Sequence, residues 1–312
     1  MNPKLQHRIH TAQNEKRFYE AHQLYKTVYY RYSLRKKYAE SLEYLLKGIK
    51  FFLENHQWES GSDLACLYVD VLIKSRRKIS DSNLRDLCNF VSVIPSTCVD
   101  RGKLISKCLS LLSKREDMLC AFNVFLGRQL LIEGALPQAR SRIMLTSDGY
   151  RVGCFLIEIQ QRYGLRSEID LFITQTVLQF LCVKKISVAA ITFYTYTHNH
   201  PSLEAGPPFT RFPLLNFVWL LILAIEKKLN YNVLSFLCSQ YRSHLMRDPC
   251  YAEYIDKISQ VYFGVQPQTD HLGGILSNLV RMLGDDADSL DGDVTALCSQ
   301  SSSNAMHVDE MD

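Results

Sequence analysis

The nearest approach to a reactive constellation in this chain is His198-Asn199-His200. Two histidines two apart could begin a metal site, but no Cys or carboxylate stands beside them at ligand spacing, and Pro201 follows at once. They read as an exposed helix end. Cysteine offers no site either. The closest of the ten cysteines, Cys88, Cys98 and Cys108, are ten apart and no C-x-x-C occurs, so neither paired zinc ligands nor a dense disulfide framework is present. Cys182 and Cys238 sit in apolar runs, where a thiol acts as a small hydrophobe. No glycine-rich phosphate loop and no H-E-x-x-H occurs. Gly153-Cys154 has no preceding strand and is no nucleophile elbow, and His22, among aromatic neighbours, reads as a packing or interface histidine. The expectation is a protein that is not an enzyme and takes no cofactor or metal.

What these residues are mounted on is helical. Tyr38, Leu42, Leu45, Leu46, Ile49, Phe52 and Leu53 form one apolar stripe; Leu64 to Leu72, Leu104 to Leu112 and Tyr254 to Tyr262 form others, with charged residues opposite. Stop and start signals separate them: Gly164 before a capping box at Ser167-Glu168-Ile169-Asp170, Asp248 before Pro249, and breaks at Ser80 to Asn83, Pro95, Gly134 and Asp148-Gly149. About fifteen short helices result, with one irregular loop from Asn199 to Phe212. The Thr-Tyr run 192–197 has strand propensity and suggests a short hairpin there. The fold expected is all-α, an irregular α-solenoid of antiparallel helix pairs, tetratricopeptide-like in style. Phe18-Tyr19-Glu20-Ala21 and Tyr38-Ala39-Glu40 look alike only twenty apart, so the 34-residue tetratricopeptide consensus is not met and no strict period is read.

The 312 residues are 47% hydrophobic and 22% charged, enough apolar side chains for a large core and a length that suggests two domains or a repeat array. The longest apolar uncharged stretch, Phe212 to Ile225, falls short of the roughly 20 residues of a spanning helix and contains Pro213, so a core helix is expected and no membrane insertion. An N-terminus without an apolar h-region, reduced cysteines and no N-x-S/T sequon suggest the cytosol. Residues 285–312 carry eight acidic residues and no Lys or Arg, and read as a disordered acidic tail. Residues 1–284 then hold all 36 basic residues against 24 acidic, a surplus of +12; residues 1–115 alone hold 21 against 11, a surplus of +10. The basic residues are scattered and accompany no nucleic-acid-binding motif, so they read as solvated helix faces or the counterpart of an acidic protein, and no nucleic-acid partner is expected.

Specific residues add a resemblance. Phe18-Tyr19-Glu20-Ala21-His22-Gln23 with Arg31-Tyr32 resembles the first helical hairpin of the Golgi-to-ER traffic protein 4 family, the 35-kDa subunit of the transmembrane-domain recognition complex. So do Gly164-Leu165-Arg166-Ser167-Glu168-Ile169-Asp170-Leu171-Phe172, His200-Pro201-Ser202, Gly206-Pro207-Pro208-Phe209, Pro213-Leu214-Leu215-Asn216-Phe217, Arg247-Asp248-Pro249 and Gly273-Gly274-Ile275-Leu276-Ser277-Asn278-Leu279. They run in order from about residue 5 to 284, with 74–160 matching loosely.

The resemblance implies a non-enzymatic scaffold in post-translational delivery of tail-anchored membrane proteins to the endoplasmic reticulum. It implies an N-terminal half, 1–150, that docks the targeting ATPase. A C-terminal half, 151–284, would hold a BAG-domain cochaperone, a small ubiquitin-like protein, or both. On this chain the ATPase candidates are Lys4, His7, Arg8, Lys16, Arg17, Phe18 and Tyr19, with core packing the competing role for the last two. The upstream-partner candidates are Phe209, Phe212, Leu214, Phe217, Tyr262, Phe263, Val265, Leu272, Ile275, Leu276 and Leu279, chosen because apolar residues there exceed what one helix face needs. The alternative is a helical-repeat subunit of another assembly, which would want a winged-helix strand pattern that residues 264–312 do not show.

Overall fold

A computed structural model describes residues 3–76, 78–204 and 206–266. Among them the chain is all α, with fifteen α-helices and no strand. The described residues fall into two compact units, divided between Ile222 and Leu223. The first contains α1 (Pro3–Asn14), α2 (Phe18–Leu34), α3 (Tyr38–Glu54), α4 (Trp58–Ser75), α5 (Asp81–Val93), α6 (Arg101–Leu112), α7 (Glu116–Ile132), α8 (Leu136–Ile143), α9 (Gly149–Tyr163), α10 (Ile169–Cys182), α11 (Ile186–Asn199) and most of α12 (Pro213–Glu226). The second contains the end of α12, then α13 (Tyr231–Gln240), α14 (Arg242–Leu245) and α15 (Cys250–Tyr262). This packing boundary, inside α12, does not coincide with the 150/151 division drawn from the expected partners.

In the first unit α1, α2 and α3 each lie against the next helix, and alternate helices touch as well: α2 on α4 on α6, α5 on α7, α9 on α11. That is the stacking of an irregular α-solenoid. The stripes read from sequence face inward as expected, Leu45, Ile49, Phe52 and Leu53 being buried on α3 and Leu64, Tyr68, Val71 and Leu72 on α4.

The first four helices keep a strict period of twenty, which the sequence reading missed. Lys16, Lys36, His56 and Arg76 all adopt left-handed backbone, with φ of 53, 53, 58 and 49°. After the first three of them the chain closes the preceding helix with the same bond. Arg17 N–H donates to Ala12 O at 2.8 Å, Lys37 N–H to Tyr32 O at 2.9 Å and Gln57 N–H to Phe52 O at 2.9 Å. An aromatic then opens the next helix (Phe18, Tyr38, Trp58), and a small buried residue sits three further on (Ala21, Ser41, Gly61). The turn recurs at Gly134, Lys184 and Lys228. Its non-glycine residues are four lysines and one histidine; the lysines set a cation at the negative end of a helix dipole, at the expense of a backbone conformation that favours glycine. Lys36→Gly is therefore expected to melt higher than Lys36→Val, with a difference of about 1–2 kcal/mol, because a β-branched side chain is the worst fit to positive φ. Equal melting of the two would mean the turn is not held in that conformation.

Two local expectations are corrected. The Thr-Tyr run 192–197 is not a strand but the middle of α11. Gly149 and Gly153, one turn apart on α9, let that helix approach so closely that a Cβ at 149 would lie 2.7 Å from Val188 O and one at 153 would lie 2.7 Å from Thr195 Cβ. The buried β-branched Thr192 and Thr195 fit that contact, and tertiary packing overrides their strand preference. The capping box starts earlier than read: the Glu168 carboxylate accepts from Leu165 N–H at 3.1 Å and shapes a single 3₁₀ turn, Arg166–Glu168. Asp248 accepts from Cys250 N–H at 2.9 Å as a helix-start residue should, but α15 begins one residue later than read, with Pro249 at its N-cap.

Candidate docking surfaces

On α1 the buried residues are Leu5, Ile9 and Ala12, packed onto α2. Lys4, His7 and Arg8 are turned outward by the helical period, and all three are exposed. Lys16 and Arg17 form the turn, both exposed. Phe18 is half-buried against Phe51, ring centroids 6.0 Å apart, whereas Tyr19 is 80% exposed. The structure thus divides that pair: Phe18 packs, and Tyr19 is available for contact. Sequence reasoning missed Tyr30 and Leu34 on α2, eleven and fifteen residues beyond Tyr19 and on nearly the same helical face, 56% and 86% exposed.

The hairpin is less basic than its composition suggests. Arg17 pairs with Glu15 at 2.7 Å and with Glu20, and Arg8 reaches Glu20 at 3.3 Å. Behind this surface His22 and Lys26 on α2 both meet the Asp63 carboxylate of α4, each at 2.9 Å, and the His22 ring stands edge-on to Phe52. His22 is thus a packing histidine. Its hydrogen bond, ahead of that from Lys26, holds the Asp63 carboxyl down at about 2 against the opposing effect of burial. Because the folded state lowers this pKa, the contribution is complete above the ordinary aspartate range and is lost as pH falls through about 2. Asp63→Asn is expected to lose about 1 kcal/mol of folding stability near neutrality, with the gap to the natural protein closing on acidification. Urea denaturation at several pH values checks this; a gap that stayed constant would place the stabilisation elsewhere.

The upstream-partner candidates separate sharply. Phe209, Leu214 and Phe217 are buried and cannot meet a partner without unfolding, a correction to their choice as surplus apolar surface. Phe209 packs edge-on against Phe193, and the Asn216 side chain clasps its backbone, accepting from Phe209 N–H at 2.8 Å and donating to Phe209 O at 2.9 Å. Phe212 is half-exposed. In the second unit Tyr262, Phe263 and Val265 are half-exposed at the end of α15. Leu272, Ile275, Leu276 and Leu279 lie outside the described residues, as does the acidic tail. The same unit exposes Phe236 and Met246, 62% and 61%, which sequence reasoning did not select. A signal for Phe236 existed: Leu234, Leu237 and Cys238 share the buried face of α13, and Phe236 falls opposite.

The chemistry available elsewhere is meagre. Burial pushes the Cys66 and Cys88 thiols up to about 11 and Cys108 to about 12, so they stay protonated and inert near neutrality. A groove of about 570 Å³ beside Tyr150 and Ile191 has carboxylates at Asp117 and Asp148, but these are held by Arg115 at 2.8 Å and Arg151 at 3.1 Å. Among the described residues no group of three or more His, Cys, Asp or Glu could hold a metal, and no helix is long and apolar enough to cross a membrane.

The family model for Golgi to ER traffic protein 4 matches residues 35–281. The Golgi to ER traffic protein 4 homolog of Gallus gallus is 39% identical over 279 residues, covering 88% of this chain and 85% of that protein. The Homo sapiens homolog is 37% identical over 279 residues with the same coverage. A crystal structure of C. therm. Get4 superposes with a TM-score of 0.72 at 20% identity, over 93% of this chain and 98% of that one, a likeness of fold. With most of its length matched by the family model and by relatives above 30% identity, the chain belongs to the Golgi to ER traffic protein 4 family.

Proposed function

We propose that this protein is a non-enzymatic adaptor of Golgi-to-ER traffic, acting in the cytosol in post-translational targeting of tail-anchored membrane proteins. In this reading the outward face of α1 and the start of α2 receives the targeting ATPase. The second unit, through Tyr262, Phe263 and Val265 with Phe236 and Met246, receives a BAG-domain cochaperone, a small ubiquitin-like protein, or both. The family supports traffic as the setting, since the relatives carry that name. The observation that carries the docking role is the exposure of Lys4, His7, Arg8, Lys16 and Tyr19 on a hairpin whose buried side is fully used by the solenoid. An exposed aromatic on a hairpin that also exposes Lys4, His7 and Lys16 suits an acidic partner surface with an apolar anchor.

The test is quantitative binding of the purified full chain to the purified ATPase and, separately, to the BAG-domain and ubiquitin-like proteins. Saturable binding to the ATPase together with at least one upstream protein is expected. Binding to neither class would sink the reading in favour of a helical scaffold for a different assembly.

A further inference from the structure

The second histidine of His198-Asn199-His200 is not the exposed helix end read from sequence. His198 is exposed and stacks on Tyr194, but His200 is 3% exposed where α9, α11 and the following loop meet. Both nitrogens of its ring are engaged. Nδ1 receives the Ser202 N–H at 3.2 Å, and Nε2 lies 2.9 Å from Gln160 Oε1. A backbone N–H can only donate, so Nδ1 is the acceptor, and the single ring proton sits on Nε2 and is given to Gln160. Gln160 is itself oriented, since its amide donates to Leu165 O at 3.0 Å. Leu203 N–H donates to His200 O at 3.2 Å, so the residue binds the loop through ring and backbone together. The whole network requires a neutral ring in one tautomer.

We propose that His200 is a proton-operated latch: a second ring proton turns Nδ1 from acceptor into donor, sets it against the Ser202 N–H, and releases residues 201–203 from the end of α9. The far end of the loop is held independently by Asn216 on Phe209 and by Thr210 on the Glu204 carboxylate, so opening is confined to the entry. The charged and titratable groups around the ring do not offset the added proton. From α9 the facing group is the neutral Gln160. From α11 it is Tyr196, whose ring lies 5.1 Å away and whose phenol stays neutral, raised by burial first and by the nearby Asp170 of α10 second. In the loop, Glu204 is taken by Thr210, and Arg211 is exposed and of the same sign as the added proton. Burial accordingly holds the His200 pKa below the ordinary histidine value. The sign follows: the unfolded chain binds the proton more readily, so the latch is closed above about pH 6.5 and opens as pH falls below it.

Amide hydrogen exchange of the full chain, corrected for the intrinsic pH dependence, reads the opening directly. Between about pH 7.5 and about pH 5, protection at Ser202 and Leu203 is expected to fall roughly tenfold or more, the factor set by a lost buried hydrogen bond, with Phe209 unchanged. His200→Gln, which can offer the same acceptor and donor without titrating, should show a flat profile. Should that variant not fold, ring nitrogen NMR of the natural protein decides: His200 must be the Nε2–H tautomer at neutral pH, and the Ser202 amide shift must titrate with the ring's midpoint. Equal pH sensitivity in His200→Gln, an unchanged loop at low pH, or a Ser202 shift that ignores the ring would overturn the proposal.

Discussion

Replacing Glu133 by Ala is expected to destabilise the first unit by about 2 kcal/mol, less than breaking a fully buried ion pair costs, because Arg101 is buried while Glu133 reaches solvent. Its partner Arg101 opens α6 and is only 5% exposed. The guanidinium meets both Glu133 oxygens, at 2.9 and 2.5 Å, and its Nε donates to Val91 O at 3.2 Å. One side chain therefore joins the end of α5, the start of α6 and the end of α7. Burial alone would raise the Glu133 pKa, but the hydrogen bonds from Arg101 and Gln129 outweigh it and keep the carboxyl below its usual value. The carboxylate therefore stays ionised throughout the neutral range. Truncating the acid leaves a desolvated cation that cannot deprotonate, which is why the single substitution should cost more than the pair is worth. The double variant Arg101→Leu with Glu133→Leu should recover much of the loss. Urea denaturation measures both; a loss under about 1 kcal/mol for Glu133→Ala would mean that water reaches Arg101 and that the fork contributes no more than a surface pair.

That fork also shows where sequence reading stops. Arg101 and Glu133 are thirty-two residues apart on different helices, and no local spacing rule links them. The helices themselves were legible because burial of one face imposes a period that survives in every stripe from Tyr38 to Tyr262. The twenty-residue repeat was present in Phe18-Tyr19-Glu20-Ala21 and Tyr38-Ala39-Glu40 but went unread. Its turns are made by Lys16, Lys36 and His56, where glycine is the usual signal. The run 192–197 misled because propensity is local, while its conformation is decided by two glycines on α9 some forty residues earlier. The candidate surfaces were half legible for the same reason. Period alone separates Lys4, His7 and Arg8 from Leu5, Ile9 and Ala12. It cannot tell whether the apolar Phe209, Leu214 and Phe217 meet a partner or the chain's own core, because that depends on which helices arrive beside them.

The hairpin proposed to receive the targeting ATPase carries the largest functional effect expected. Lys4, Arg8, Lys16 and Arg17 changed together to Gln should slow association with the targeting ATPase about tenfold, the order expected when favourable long-range charge is removed. Association of the natural protein should slow in parallel as ionic strength rises. Gln is the informative replacement. Arg8 and Arg17 lie against Glu15 and Glu20, so reversal to Glu would crowd like charges into one turn and confuse lost binding with lost folding. Neutralisation costs the fold about 1 kcal/mol or less for each exposed pair. Tyr19→Ala separates contact from charge. At 80% exposure its ring contributes little to the core, so melting should hardly move, while the complex should dissociate about tenfold faster if the ring is an interface anchor. Phe18→Ala is the contrasting case: its ring packs on Phe51, and its cost should appear in stability first. Normal ATPase binding by both the quadruple variant and Tyr19→Ala would move the dock off this hairpin. The next surface to test would then be the turn at the other end of α2, where Leu34 is 86% exposed beside the exposed Arg35 and Lys36, neither of which forms an ion pair among the described residues.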